Sequence, residues 1–331
     1  MTEEDKRELE ATAARVKFNN SWPSGGLWIP EVQMQFEAWM KDCGYNQLLT
    51  PVIMEDSAIK VLFDNRLLNR LVSTFLDIYD QLPYHPDKAF DVAWRAFEIL
   101  LNLHNNELWK DKNDKTVHLV SKGVNYIVLP LADQRSDYKA SLEKILNDIP
   151  LSVLKYTVLR MYVEHEMAIN PHINRSSERA KAILSPSLYD DIKEQYKLQE
   201  DKKPDKVTLR KCALLLQKVL RGEKLIINGH HHTLDFNKRI EFVISCMLFT
   251  NRCERAHGDY FSPFKSDRAH LDTYAFSYYM LIMSYILMWT VMYYHCSKLK
   301  VGVVCKMESI IASADESYSR LIPLIRLGKE S

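Results

Sequence analysis

The stretch NRCERAHGDYFSPFKSDRAHLDTY, residues 251 to 274, carries Arg-Ala-His twice, at Arg255–His257 and Arg268–His270. Arginine and histidine are the side chains that hold phosphate oxygens and exchange protons near neutral pH. The first copy sits at the end of an apolar run, where Arg252, Glu254, Arg255 and His257 emerge together. On a continuous helix, residues five apart point about 140° away from one another. Arg252 and His257 therefore converge only if the helix stops near Ala256, and Gly258 is a suitable residue to stop it. A helix C-terminus is partially negative, which favours a protonated histidine and opposes phosphate; Arg252 and Arg255 offset that opposition.

The element that must deliver this group is RIEFVISCMLFTNRCERAHG, within a helix expected over 235 to 256. Ile240, Val243, Ile244, Met247 and Leu248 form one face, and Phe242, Cys246 and Phe249 make the other side apolar too. A helix apolar nearly all round is buried. A second apolar helix follows over 273 to 297, without a single Asp, Glu, Lys or Arg. It is long enough to cross a bilayer, but its tyrosines and hydroxyls and the lack of a basic flank favour a core helix. A membrane protein spanning 274 to 294 is the alternative of a different class.

Helical spacing dominates elsewhere. One helix is expected over 56 to 82 and another over HPDKAFDVAWRAFEILLNLHNN; others are expected over 136 to 147, 150 to 167, 177 to 184, 187 to 198, 306 to 327 and in KVTLRKCALLLQKVLRG. Residues 105 to 122 read as a polar loop, and Asn125–Leu131 as the best strand candidate, an edge because of Pro130. The expected fold class is all-α, with a boundary in 105 to 135: a mostly helical region 1–130 of unknown role, then a helical domain 131–331. With 331 residues, 47% hydrophobic, and a net charge of +1, the chain has no global attraction to nucleic acid. The six cysteines form no CxxC and read as thiols, and the charged start MTEEDKRELEATAARVK has no apolar signal core. A cytoplasmic protein is expected.

At Arg252-x4-His257 the chain resembles the HEPN domains, all-α modules found in nucleases of toxin–antitoxin, abortive-infection and CRISPR systems. The buried helix before the motif, the glycine after its histidine and the long apolar helix beyond it share that resemblance, over about the last hundred residues. It implies a HEPN-like helical bundle and metal-independent RNA cleavage, in which the ribose 2′-OH attacks the adjacent phosphate and leaves a 2′,3′-cyclic phosphate. His257 would be the general base or acid and Arg252 would hold the scissile phosphate. Asn251, Glu254, Arg255 and Asp259 would be supporting groups. A homodimer with a composite site is implied, in a toxin or antiviral-defence effector with an antitoxin or regulatory partner, and no cofactor. The chain departs from the family at Cys253, where a polar residue, often asparagine, follows the motif arginine. A non-catalytic module binding RNA, nucleotide or protein is the alternative that this departure suggests.

Other groups read more simply. Lys206, Arg210, Lys211, Lys218 and Arg221 fall within one sector of a helix, a basic stripe suited to RNA phosphates or a solvated face. Arg160-x4-His165 repeats the motif spacing in mid-helix and reads as a charged helix face. His230-His231-His232 reads as a polar turn before a helix rather than a metal site: consecutive histidines do not easily converge, and only Asp235 is near in sequence. Gly25-Gly26 lacks the lysine of a phosphate loop and reads as a turn. In the second Arg-Ala-His, Ser266 or Asp267 is the expected N-cap of the next helix.

Overall fold

A computed structural model of the chain describes residues 3–21, 24, 29–112, 115–162, 171–199, 202–257, 263–266 and 269–330. Among these the fold is all-α with one small hairpin. The N-terminal helices are α1 (Glu3–Ser21), α2 (Glu31–Asp42), α3 (Ala58–Asp64), α4 (Arg66–Asp80) and α5 (Pro86–His104). The single helix expected over 56 to 82 is two, because Asn65 breaks it. Its extended backbone starts α4, and its side chain accepts from the N–H groups of Leu67 and Leu68, both at 3.1 Å.

A π-helical segment, Asn105–Trp109, continues α5, and the next helix is α6 (Thr116–Gly123). The loop expected over 105 to 122 is thus mostly helical. A second π segment, Val124–Val128, leads into α7 (Leu129–Gln134), so the strand expected at Asn125–Leu131 does not form. Val124, Ile127, Val128, Leu131 and Ala132 are buried, at helical rather than alternating spacing. Pro130 cannot donate to the ladder, and the wider turn just before it accommodates that gap. Residue 130, the expected division of the chain, lies inside α7.

Next come α8 (Ser136–Asn147), α9 (Leu151–Tyr162), α10 (Pro171–Leu184), α11 (Pro186–Gln195) and α12 (Lys206–Leu220). The hairpin pairs β1 (Leu225–Ile227) with β2 (His230–His232), antiparallel, so the histidine run is a strand and not a turn. Asn228 and Gly229 both have positive φ, 50° and 84°, the conformation of a two-residue hairpin turn, which fixes the register.

The helix carrying the motif runs from α13 (Phe236–Phe242) through a π segment, Val243–Leu248, into α14 (Phe249–Ala256). The last two helices are α15 (Leu271–Leu299) and α16 (Met307–Glu330). The N-cap of α15 is His270, not Ser266 or Asp267; its N–H donates to Thr273 Oγ1 at 3.3 Å.

Buried side chains from residues 32 to 325 form one hydrophobic cluster. α15 is its axis and packs along α5 and α16. It is long and apolar enough to cross a membrane, yet its most apolar window is entirely enclosed by protein. Two of its tyrosines and one threonine find hydrogen-bond partners there. Tyr278 Oη donates to Pro83 O at 2.8 Å, Tyr285 Oη accepts from Val52 N–H at 2.9 Å, and Thr290 Oγ1 meets Tyr138 Oη at 3.0 Å. A hydroxyl in lipid would lack such partners. The six cysteines are unpaired thiols, and all but Cys43 are buried.

Candidate active site

The helix ends at Ala256 and His257 follows as its exposed C-cap, beside the cleft that Arg252 lines but not among its lining residues. All of the π segment upstream but Ser245 is buried, so the scaffold before the motif is fixed by the core. Gly258 and Asp259 lie outside the described residues.

The other wall of the site is α5. Arg252 Nη2 donates to Glu98 Oε2 at 2.8 Å, and Trp94 Nε1 donates to Glu98 Oε1, also at 2.8 Å. Arg255 grips Asp91 with Nε and Nη2, at 2.7 and 2.6 Å, and reaches Asp87 Oδ2 at 3.3 Å. Burial acts to lower the Arg255 pKa, but its bonds to Asp91 outweigh that, and the guanidinium stays charged. Asp87 lies in the first turn of α5 and Arg255 in the last turn of α14, so each charge also suits the dipole of its own helix.

Between the two helices lies an open cleft of about 230 Å³, lined by Asp91, Trp94, Arg95, Glu98, Arg252, Arg255 and Ala256. Arg95, Arg252 and Arg255 face Asp91 and Glu98 there, and Asp87 also pairs with Arg255, so the charges nearly balance. Behind it, Asn251 is buried and borders a much smaller cavity with Asp87 and Arg255.

Glu254 points the other way. It is buried, and it is gripped by Arg160 through Nε on Oε1 and through Nη2 on Oε2, the latter at 3.0 Å. Tyr156 Oη donates to the same Oε2 at 2.9 Å, and the Arg160 guanidinium lies over the Tyr156 ring, 4.7 Å from its centre. Burial first, and then the neighbouring Glu254, push the Tyr156 pKa far up, so the phenol remains a donor. Arg160 is therefore a half-buried partner of the motif helix, which corrects its reading as a charged helix face; His165 lies outside the described residues. Cys253 is buried beside Arg252, and burial raises its thiol pKa, which makes it a packing residue rather than a nucleophile.

The basic stripe is only partly available. Lys206, Lys211 and Lys218 are exposed on α12 and Arg210 is half-buried. Arg221 is tied down instead: its Nε donates to Asn147 O at 2.6 Å and its Nη2 lies 3.5 Å from Asp148 Oδ1. Arg268 and Gly25-Gly26 lie outside the described residues.

Sequence reasoning missed Asp87, Asp91, Trp94 and Glu98. Their signal was present: positions 87, 91, 94 and 98 recur at three- and four-residue steps on one face of α5. Comparisons with protein-family models, with curated proteins and with solved structures found no match.

Proposed function

We propose that the chain is a HEPN-type, metal-independent endoribonuclease of the cytoplasm, acting as a homodimer. The observation that carries this reading is the cleft itself: Arg252 and Arg255 line it, and His257 caps the helix that forms it. In the reaction, His257 takes the proton of the ribose 2′-OH as O2′ attacks phosphorus. The P–O5′ bond breaks, and the leaving O5′ takes a proton from an acid, for which the second copy's histidine is available in a dimer. Arg252 spreads the charge of the phosphate oxygens. A guanidinium carries five N–H donors, so holding Glu98 through Nη2 does not exhaust it.

Size supports the dimer. At about 230 Å³ the cleft is smaller than the roughly 300–1,000 Å³ of complete small-molecule sites. It takes a phosphate group, and a second copy would supply the walls for ribose and base. The exposed lysines of α12 would add backbone contacts that are independent of sequence.

A second reading has one observation in its favour. Both motif arginines already face carboxylates of α5, which suits a module that binds RNA or nucleotide without cutting it. A substrate with one 2′-deoxy nucleotide at the cleavage position separates the two. The nuclease cuts the all-RNA oligonucleotide in EDTA, leaves a 2′,3′-cyclic phosphate and spares the deoxy position while still binding it. Binding of both without any cut supports the second reading, and equal cutting of both refutes the first.

A further inference from the structure

The hairpin after α12 carries a second group of chemistry-bearing side chains, separate from the cleft. Along a strand alternate residues share a face, so His230 and His232 lie on one side of β2 and His231 on the other. The face with two histidines meets α11. Asp191 Oδ2 lies 2.9 Å from His230 Nδ1 and 2.7 Å from His232 Nε2. The three donor atoms fall within 4.8 Å of one another. The side chains of Asp191 and His232 are enclosed, 9% and 8% exposed, whereas that of His230 is 64% exposed. Asn228 Nδ2, in the hairpin turn, donates to Asp191 O at 3.1 Å and fixes the turn against α11.

We infer that Asp191, His230 and His232 form a binding site for a divalent transition-metal ion of the zinc class. Two imidazoles and one carboxylate are borderline ligands that suit zinc, whereas magnesium and calcium prefer oxygen alone. Tetrahedral coordination at about 2.0–2.1 Å places donor atoms about 3.3 Å apart. The two histidine nitrogens would draw back from Oδ2 by about half an ångström and close on each other from within 4.8 Å, a swing for which the exposed His230 ring has room. Three protein ligands with solvent on the His230 side leave a fourth position for water or a small anion. The ion would clip the hairpin to α11, just ahead of the helix that carries Arg252. The expectation that consecutive histidines cannot share an ion holds for neighbours but not for the pair 230 and 232. Their third ligand stands on another helix, 39 residues before His230.

Calorimetric titration of zinc chloride into the untagged full-length protein, stripped with EDTA and dialysed, tests the site. One ion per chain is expected, with a thermal midpoint that climbs with free zinc and does not respond to magnesium. His230→Ala should weaken zinc binding by at least about tenfold, while its thermal midpoint in EDTA matches the parent's. Asp191→Asn should weaken it as much with an unchanged circular dichroism spectrum, and His231→Ala should bind like the parent. Absence of zinc uptake, parent-like binding by His230→Ala, or an equal loss in His231→Ala would overturn the assignment.

Discussion

The end of α14 and the hairpin face of α11 are each completed by a carboxylate distant in sequence, yet they differ in charge. At α14 every carboxylate among the described residues of the site meets an arginine: Glu98 with Arg252, Asp91 and Asp87 with Arg255, and Glu254 with Arg160. At the hairpin one carboxylate, Asp191, meets two imidazoles instead. The first arrangement balances itself and builds a rigid cleft. The second gathers donors around an anion, and a bound cation would complete it. Buried ion pairs do little for net stability but cost much when one partner is removed. The two regions should therefore respond differently to loss of charge.

The largest effect is expected at Glu254. Glu254→Gln keeps the shape but leaves the enclosed Arg160 guanidinium uncompensated, at a cost of about 3–5 kcal/mol in urea unfolding. Adding Arg160→Met should restore part of that loss, because the pair then disappears together. A cost below about 1 kcal/mol would mean that water reaches Arg160 and that the α14 end is not the rigid region described.

Next in size is a pH effect at a second pair of histidines, which contrasts with the hairpin pair. His104 and His295 are buried in the core, with their Nδ1 atoms 3.2 Å apart. Burial, then the His295 charge, holds His104 down at about 4. The unfolded chain has this group near 6.5, so it binds more protons there than the folded protein does. The stability it contributes is complete above about pH 6.5 and falls as pH drops toward 4. Urea midpoints across that window should fall less steeply for His104→Gln than for the parent. Parallel slopes would contradict the assignment.

A smaller effect should follow from Glu98→Gln, which removes the anion facing Arg252 while Trp94 can still donate to the amide oxygen. RNA affinity at fixed salt should rise about two- to fivefold, the scale of one partly exposed charge contact. A weaker complex would mean that Glu98 orients Arg252 for phosphate rather than competing with it.

What the sequence revealed followed from local physics. The apolar helix stopping at Ala256, the helix over 136 to 147 and the burial of the uncharged helix all follow from spacing and composition. What it concealed depended on neighbours far along the chain. Glu98 lies 154 residues before Arg252, and Asp191 belongs to a different helix from the strand it meets. Pro130 outweighed the helical spacing of its apolar neighbours, which the π segment reconciles. Arg160 has the motif spacing by coincidence, but its role lies in the partner of Glu254, which no one-dimensional pattern reveals.

The central claim is that phosphate chemistry occurs at Arg252 and His257. Its most direct measurement is RNA cleavage in EDTA by the parent, Arg252→Ala and His257→Ala, with circular dichroism confirming that each is folded. Cleavage by the parent is expected, with at least about a hundredfold loss in each variant, the scale of a general acid–base or charge-stabilising group. Cleavage at the parent's rate by either folded variant would contradict it.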